Sequence, residues 1–355
     1  MADPSELPTK ATLYDVANRA GVSPKSVSRV LNDSPNLSAE MRARVQRAIA
    51  ELSYHPNPIA RLLRVGRDHS IGVIVDSLAD PFFASVVDVL NAIARLHGNA
   101  PLLVGSTGGV ADREVPLVRD FARRNIGGLI LVPCDDDQSY LSEINNEMPV
   151  VLIDRVGRQV ALDTVRIDDE AAADNAVTHL IMHGHTRIAL IGDIKRISTA
   201  ARRADGYRRA LARHKIDPDP DLEAECLAPD DARSAVLRML QLREPPTAIF
   251  SSNAKSSLGV IPALQRSHRT DIALVCFGDT PLADAFVPGI TVVDQDPADI
   301  GEIAARLLIG RMTGDRKGPP EEVLVPTKLI PRGSGELPVP VQPVTRRRSR
   351  HGTRA

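Results

Sequence analysis

Lys25 and Arg29 lie four residues apart in the stretch GVSPKSVSRVLN, Gly21 to Asn32, with Ser23, Ser26 and Ser28 beside them. On a helix, positions i and i+4 share a face, so the two cations point the same way among hydroxyl donors. Such a face suits nucleic acid: Lys and Arg donate to the acceptor edge of guanine in the major groove, and hydroxyls hold phosphate oxygens. Val22, Val27, Val30 and Leu31 recur at helical spacing and supply a stripe to bury. Taken alone, the segment fits a solvated helix of an ordinary bundle equally well. Its neighbours decide.

Three other sets of residues could carry chemistry, and each has a simpler reading. His179, His183 and His185 are spaced in part as i and i+4, as a metal pair would be, but Gly184 reads as a helix C-cap and no carboxylate trio accompanies them. No metal is expected. GSTGGV, Gly105 to Val110, is glycine-rich without the GxGxxG spacing that opens a helix after a first strand. Asp135 to Asp137 read as a helix-start loop rather than a magnesium site. With no nucleophile elbow or acid–base motif, neither catalytic residues nor a cofactor are expected, and the chain does not read as an enzyme.

The elements that must position the basic face are short and well punctuated. Leu13 to Ala20 reads as a helix started by Thr12 and Asp15 in a capping-box arrangement and ended by Gly21. Ser23 and Pro24 start a second helix to about Leu31. A third runs from Ser38 to near Tyr54 on Met41, Val45, Ala48, Ile49 and Leu52. Two short helices around a glycine turn are a helix-turn-helix signature. The next segment, NPIARLLRVGR, offers at most two turns through Pro58, Ile59, Ala60, Leu62 and Leu63. Isolated helices below ~12 residues are marginal in water, so it is expected to order only when paired.

From Ser70 the pattern changes. The runs IGVIV, PLLVG, GGLILV and PVVLID alternate with helical stretches near Phe82 to Leu96, Arg113 to Arg124 and Gln138 to Asn146. A second series, RIALIG, TAIFSS and IALVCFG, alternates with helices near Ala171 to His183, Ala201 to Lys215, Ala232 to Leu242 and Ser257 to Arg266. Alternation of this kind implies parallel sheets covered on both faces, here in two lobes, with ligand at the strand carboxyl ends.

Composition sets the outer limits. A chain of 355 residues, 43% of them hydrophobic, accommodates two or three domains. Its net charge of −1 is unevenly spread: residues 1–67 carry ten Lys or Arg against six Asp or Glu, and residues 334–355 carry five Arg against Glu336 alone. The remaining 29 basic and 38 acidic residues leave the middle acidic. Cys134, Cys226 and Cys276 are odd in number and form no CxxC pair, which argues against a disulfide framework. The opening MADPSELPTK has no apolar signal core, and no apolar run approaches the ~18 residues of a membrane span. A cytoplasmic protein without membrane contact is expected.

The run ATLYDVANRAGVSPKSVSRVLNDSPNLSAEMRARVQRAIAELSYHPNPIARLLRVGR closely resembles the DNA-binding head and hinge of the lactose-repressor/galactose-repressor family of bacterial transcriptional regulators. The resemblance continues through IGVIVDSLADPFFASVV, GGLILVP, VVLIDR, HLIMHGHTRIALIG, TAIFSSN, TVVDQDP and RLLIGRM, covering Ala11 to about Gly333. It implies a small all-α helix-turn-helix head, residues 11–56, a hinge, 57–66, and an α/β two-lobed periplasmic-binding-protein-like (type I) body, 67–333. Lobe 1 would take about 70–167 plus 293–325, and lobe 2 about 168–290 plus 326–333. The Pro-rich and then Arg-rich segment 334–355 reads as a disordered basic tail.

By the same resemblance the chain is a sequence-specific repressor, a homodimer on near-palindromic double-stranded operator DNA, controlled by a sugar or sugar derivative between the lobes. Pro24, Lys25 and Arg29 fall on base-facing positions, while Tyr14, Ser23, Ser26, Ser28 and Asn32 look like backbone contacts. Asn57, Ala60 and Leu63 belong to the hinge, with Leu63 as the wedge that opens the central base step in the minor groove. Phe82, Phe83, Asp154, Arg155, Arg203, Asn253 and Gln295 surround the effector. The chain departs from the family where Asn-Asp is usual, giving NAK (Asn253, Ala254, Lys255), and at Gly278, where an acid commonly holds the ligand. Lys255 thereby points to a phosphorylated or acidic effector. A solute-binding protein of a transport system shares the two-lobed body, but would lack Ala11 to Asn57.

Overall fold

The computed structural model describes residues 11–31, 37–52, 54, 69–280 and 282–340. The chain divides into two compact units, Met1–Asp68 and His69–Ala355.

In the first unit, helix α1, Leu13–Ala20, starts at Thr12, whose side chain and that of Asp15 cap each other's backbone amides. It stops at Gly21, φ 62. A Cβ there would meet nothing within 4 Å, so it is the left-handed backbone that favours glycine. Helix α2, Pro24–Leu31, follows with Ser23 Oγ accepting from the amide of Ser26 at 3.1 Å. Helix α3, Ala39–Glu51, is capped by Ser38, and Arg19 of α1 reaches Glu51 at 2.6 Å. Val16, Ala17, Ala20, Val27, Val30, Val45, Ala48 and Tyr54 close one small core.

The second unit holds two sheets. Strands β1 (Ile71–Val75), β2 (Leu102–Ser106), β3 (Gly128–Leu131), β4 (Val150–Ile153) and β5 (Asp163–Ile167) form the first with β11 (Glu322–Val325), all parallel, in the order β11-β5-β4-β3-β1-β2. Strands β6 (Ile188–Gly192), β7 (Glu223–Glu225), β8 (Ala248–Ser251), β9 (Ala273–Phe277) and β10 (Thr291–Asp294) form the second with β12 (Lys328–Ile330), in the order β12-β10-β9-β8-β6-β7. There β12 alone is antiparallel, to β10. The chain passes between the lobes three times: after β5, after β10 and between β11 and β12. The helix Asp169–Met182 packs with the second sheet, and Pro297–Thr313 returns to cover β3, β4 and β5. The second crossing lies later than the sequence suggested: Val293 and Asp294 are still paired in the second sheet, and lobe 1 resumes only with the helix at Pro297.

The expected disordered tail needs a larger correction, because its first residues, Ser334 to Pro340, are fastened to lobe 2. Ser334 Oγ donates to the carbonyl of Leu274 at 2.6 Å and accepts from the amide of Thr291 at 2.8 Å. Glu336 meets His179 Nε2 at 2.5 Å and accepts from the Thr291 hydroxyl and the Gly333 amide. His185 Nε2 lies 2.9 Å from the carbonyl of Leu337, whose side chain packs on the core. Two of the histidines weighed as metal ligands thus hold this strap. Residues 341–355 lie outside those described.

Burial opposes ionisation of Glu336, yet the hydrogen bonds from His179, Thr291 and the Gly333 amide outweigh it and hold its carboxyl below the ordinary value. The stabilisation is present above the ordinary carboxylate range and is lost as pH falls below it. Glu336→Gln is therefore expected to lower body stability by about 1 to 3 kcal/mol at neutral pH. Melting curves of the two proteins should converge as the pH falls below the ordinary carboxylate range; a pH-independent gap would show that Glu336 acts through packing alone.

Candidate functional site

Two sites emerge, one in each unit. On the head, Tyr14, Ser23, Lys25 and Arg29 are exposed, and Pro24 and Ser26 are half-buried at the start of α2. The apolar residues of α2 face α1 and α3, which leaves Lys25 and Arg29 on the open side. Ser28 departs from expectation. It is only 8% exposed and lies on the core side of α2, so it does not belong to the outward set of donors. Spacing alone could not show this, since Ser28 adjoins the buried Val27. Asn32, Asn57, Ala60 and Leu63 lie outside the described residues.

In the body, the carboxyl ends of β1, β4, β6, β8 and β10 converge on a cavity between the lobes of about 600 Å³, counting its open mouth. Phe82, Phe83, Asp154, Arg155, Arg203, Asn253 and Gln295, drawn from five separate stretches of chain, all line it. Lys255, noted as a departure that bears on the effector, lines it too, as do Asp76, Asp80, Asp193 and Ser252, which were not among the residues singled out for ligand contact. An Asp just past an apolar run was the available signal, in IVDS and LIGD.

Each cation of this cavity already faces a carboxylate. Arg155 Nη2 meets Asp76 at 2.5 Å, and its Nη1 donates to the carbonyl of Pro133 at 2.9 Å. Arg203 Nε meets Asp169 at 2.7 Å, and its Nη1 donates to the carbonyl of Ser252 at 2.9 Å. Lys255 Nζ meets Asp193 at 2.8 Å. Two lining acids are less closely held: among the described residues Asp80 meets no cation within salt-bridge distance, and Asp154 Oδ2 lies 3.4 Å from Arg155 Nε. Asp80 caps the helix Pro81–Leu96 by accepting from the Phe82 amide at 3.0 Å, and burial raises its carboxyl above the usual range. Asp154 is pushed up to about 6 by burial, against the pull of Arg155 and Arg203. Asn253 spends its side-chain oxygen on the Ser256 amide at 2.6 Å as a helix cap, so its amide nitrogen is the group left to offer.

Phe82 and Phe83 meet edge to face at 5.1 Å, both largely buried. The wall they form is apolar, while the rest of the lining sets Asp76, Asp80, Asp154 and Asp193 against Arg155, Arg203 and Lys255 among hydroxyl and amide groups, a combination suited to hydroxyl groups on a compact carbon frame. Nothing here resembles an activated nucleophile: burial raises the thiols of Cys134 and Cys276 to about 12 and that of Cys226 to about 11.

The family model described as "Bacterial regulatory proteins, lacI family" matches residues 12–57, and one described as "Periplasmic binding protein-like domain" matches residues 177–335. The chain is 31% identical over 334 residues to the HTH-type transcriptional repressor CytR of Escherichia coli (strain K12), covering 92% of this chain and 96% of the relative. It is 31% identical over 303 residues to the catabolite control protein A of Priestia megaterium, covering 84% and 91%. Among solved structures, that of the lac repressor dimer bound to operator and the anti-inducer ONPF matches with a TM-score of 0.79 at 28% identity, over 92% of this chain and 99% of the other.

Proposed function

The chain belongs to the lacI family of bacterial regulatory proteins, and from that premise we propose that it represses transcription from operator DNA under control of a neutral, hydroxyl-rich effector held between its lobes. The observation that carries this reading is the joining, in one chain, of an outward Lys25 and Arg29 pair on α2 with an interlobe cleft whose cations are all matched by acids.

The head supplies recognition. Two heads on a two-fold axis read two half-sites, so the protein acts as a homodimer on a near-palindromic duplex in the cytoplasm. Residues 334–355 offer Leu337 as their one leucine, among prolines and arginines, and so lack the heptad needed for a tetramerising coiled coil. Asn57, Ala60 and Leu63 serve as the hinge, residues 57–66, whose pairing in the minor groove depends on the spacing between protomers. Effector binding changes the angle between the lobes and hence that spacing.

The charge balance of the cleft favours an uncharged effector over the phosphorylated one that Lys255 suggested in sequence. An anion would have to displace Asp193 from Lys255, or Asp76 from Arg155, and leave a buried carboxylate unpaired. A sugar hydroxyl asks for less: it donates to Asp154 or Asp80 and accepts from the Asn253 amide.

Selection of bound duplexes from a random-sequence pool should yield a near-palindrome. On that consensus Arg29→Ala should lose about 1 to 3 kcal/mol of binding, with a much smaller loss on unrelated DNA. Equal losses on both would assign Arg29 to phosphate, and failure to enrich any sequence would defeat the reading.

A further inference from the structure

A second, more open cavity of about 810 Å³, counting its open mouth, lies beside the first. Phe82 and Gln295 line both. Ala254 lines the first and Gly278 the second. A Cβ on Gly278 would stand 3.3 Å from the Cβ of Ala254 and 3.5 Å from Gln295 Oε1, so these residues meet at one point, where the cavities adjoin. Two small residues, Gly278 and Ala254, thus sit at the junction. Gly278 has φ +90, a backbone conformation that L residues rarely adopt, and Ala254 contributes one methyl.

We propose that the two cavities act as one elongated site, and that the effector is a neutral ligand of two linked, hydroxyl-rich rings, a disaccharide or glycoside that crosses the junction between Gly278 and Phe82. The proposal rests on the effector reading of the interlobe cleft. The first ring lies among Asp154, Arg155 and Phe82, and the second beyond Gly278, against Asp279, Thr280 and Asp294.

The outer cavity repeats the charge logic of the inner one. Its cation, Arg332, holds both oxygens of Asp279 at 2.8 and 2.7 Å and meets Asp284 at 2.6 Å. No unmatched cation waits for a phosphate or carboxylate on either ring. The carboxylates keep lone pairs that accept from ligand hydroxyls. With long side chains at 254 and 278 the inner cavity would be closed at one ring; this chain leaves it open.

The test is a thermal-shift and calorimetric series on the full chain with glucose, galactose and ribose, with cellobiose, lactose, maltose and sucrose, and with glucose 6-phosphate. At least one two-ring sugar is expected to raise Tm by about 2 °C or more, as ligand present at many times its Kd does, and to exceed every one-ring compound. Ala254→Asp places an acid in the first turn of the helix Ala254–Arg266, where the dipole tolerates it, and Gly278→Ala adds the smallest plug. Each should weaken two-ring binding about tenfold or more, equivalent to about 1.4 kcal/mol. A one-ring sugar or the phosphate as best ligand overturns the proposal while the effector reading stands. Two-ring binding unaffected by both substitutions overturns it too. If no compound shifts Tm, the proposal and the effector reading fall together.

Discussion

Arg203→Ala is expected to destabilise the body by about 3 to 5 kcal/mol, the cost of removing one partner from a buried ion pair. Arg203 and Asp169 are both buried, with Nε 2.7 Å from Oδ1. The guanidinium also stacks 3.9 Å above the Phe277 ring and donates to the carbonyl of Ser252. It therefore ties the helix Ser198–Arg213 to the start of the helix Asp169–Met182 and to the end of β8. Without it, the Asp169 carboxylate would be left uncompensated in the interior, where its Oδ2 already has no hydrogen-bond partner.

Burial already raises the Asp169 carboxyl above its ordinary value, opposed chiefly by Arg203. Removing Arg203 raises it further. A group whose folded value is raised destabilises the fold once pH passes the unfolded value, so wild type and variant lose stability alike at first, and the gap between them should widen only above the raised value of Asp169 in wild type. Urea unfolding followed by far-UV circular dichroism measures this, the chain having no tryptophan. Arg203→Met with Asp169→Leu should recover much of the loss, since an apolar pair leaves no buried charge. A cost under about 1 kcal/mol for Arg203→Ala would show that water reaches the pair.

What the sequence disclosed, and what it withheld, follows from the range of the interactions. The head was legible because its signals are local: Thr12 with Asp15, Gly21, Ser23 before Pro24, and an apolar stripe every three or four residues. Seven strands were legible as apolar runs. The strand β5, DTVRI, was not, because Asp163 makes its start look like a loop. Asp163 is buried only because Arg311 meets it at 2.7 Å from 148 residues away and the Glu321 amide donates at 2.9 Å. Likewise β7, EAE, has no apolar run at all and exists as an edge on β6. The strap at Ser334–Pro340 has no periodicity, and its anchors at His179, His185 and Leu274 are distant in sequence.

The residues of the interlobe cavity show the same division. Resemblance placed seven of them, and the structure brings those seven to one cavity. Their pairing was hidden. Lys255 reads as a free cation in sequence, and only folding sets Asp193, 62 residues away, at 2.8 Å. Ser28 failed in the opposite way: a hydroxyl among hydroxyls, it was assigned outward although the helix turns it inward.

Asp154 gives the second large expectation. Asp154→Asn should stabilise the body at pH 7.5 by an amount on the order of 3 kcal/mol, the equivalent of a shift from the ordinary carboxylate value to about 6. The acid is buried at φ 68, and Arg155 Nε, at 3.4 Å, is too distant for a short ionic hydrogen bond. Asparagine is close in shape and tolerates the same left-handed backbone, so the substitution changes the charge with little strain. Below the ordinary carboxylate value folded and unfolded wild type are both protonated, and the two proteins should melt together. Between that value and about 6 wild type falls behind as its unfolded state ionises, and above 6 the gap is complete. The same substitution should abolish effector binding, because an acceptor of hydroxyl hydrogen bonds has lost its charge. Stability given up at one ligand-facing residue is the usual mark of a binding site, and a ligand hydroxyl that hydrogen-bonds the carboxylate would return part of it. Effector should therefore raise the Tm of wild type more above pH 6 than below pH 5. If Asp154→Asn is no more stable than wild type at pH 7.5, the carboxylate is already satisfied within the protein and Asp154 does not face the ligand.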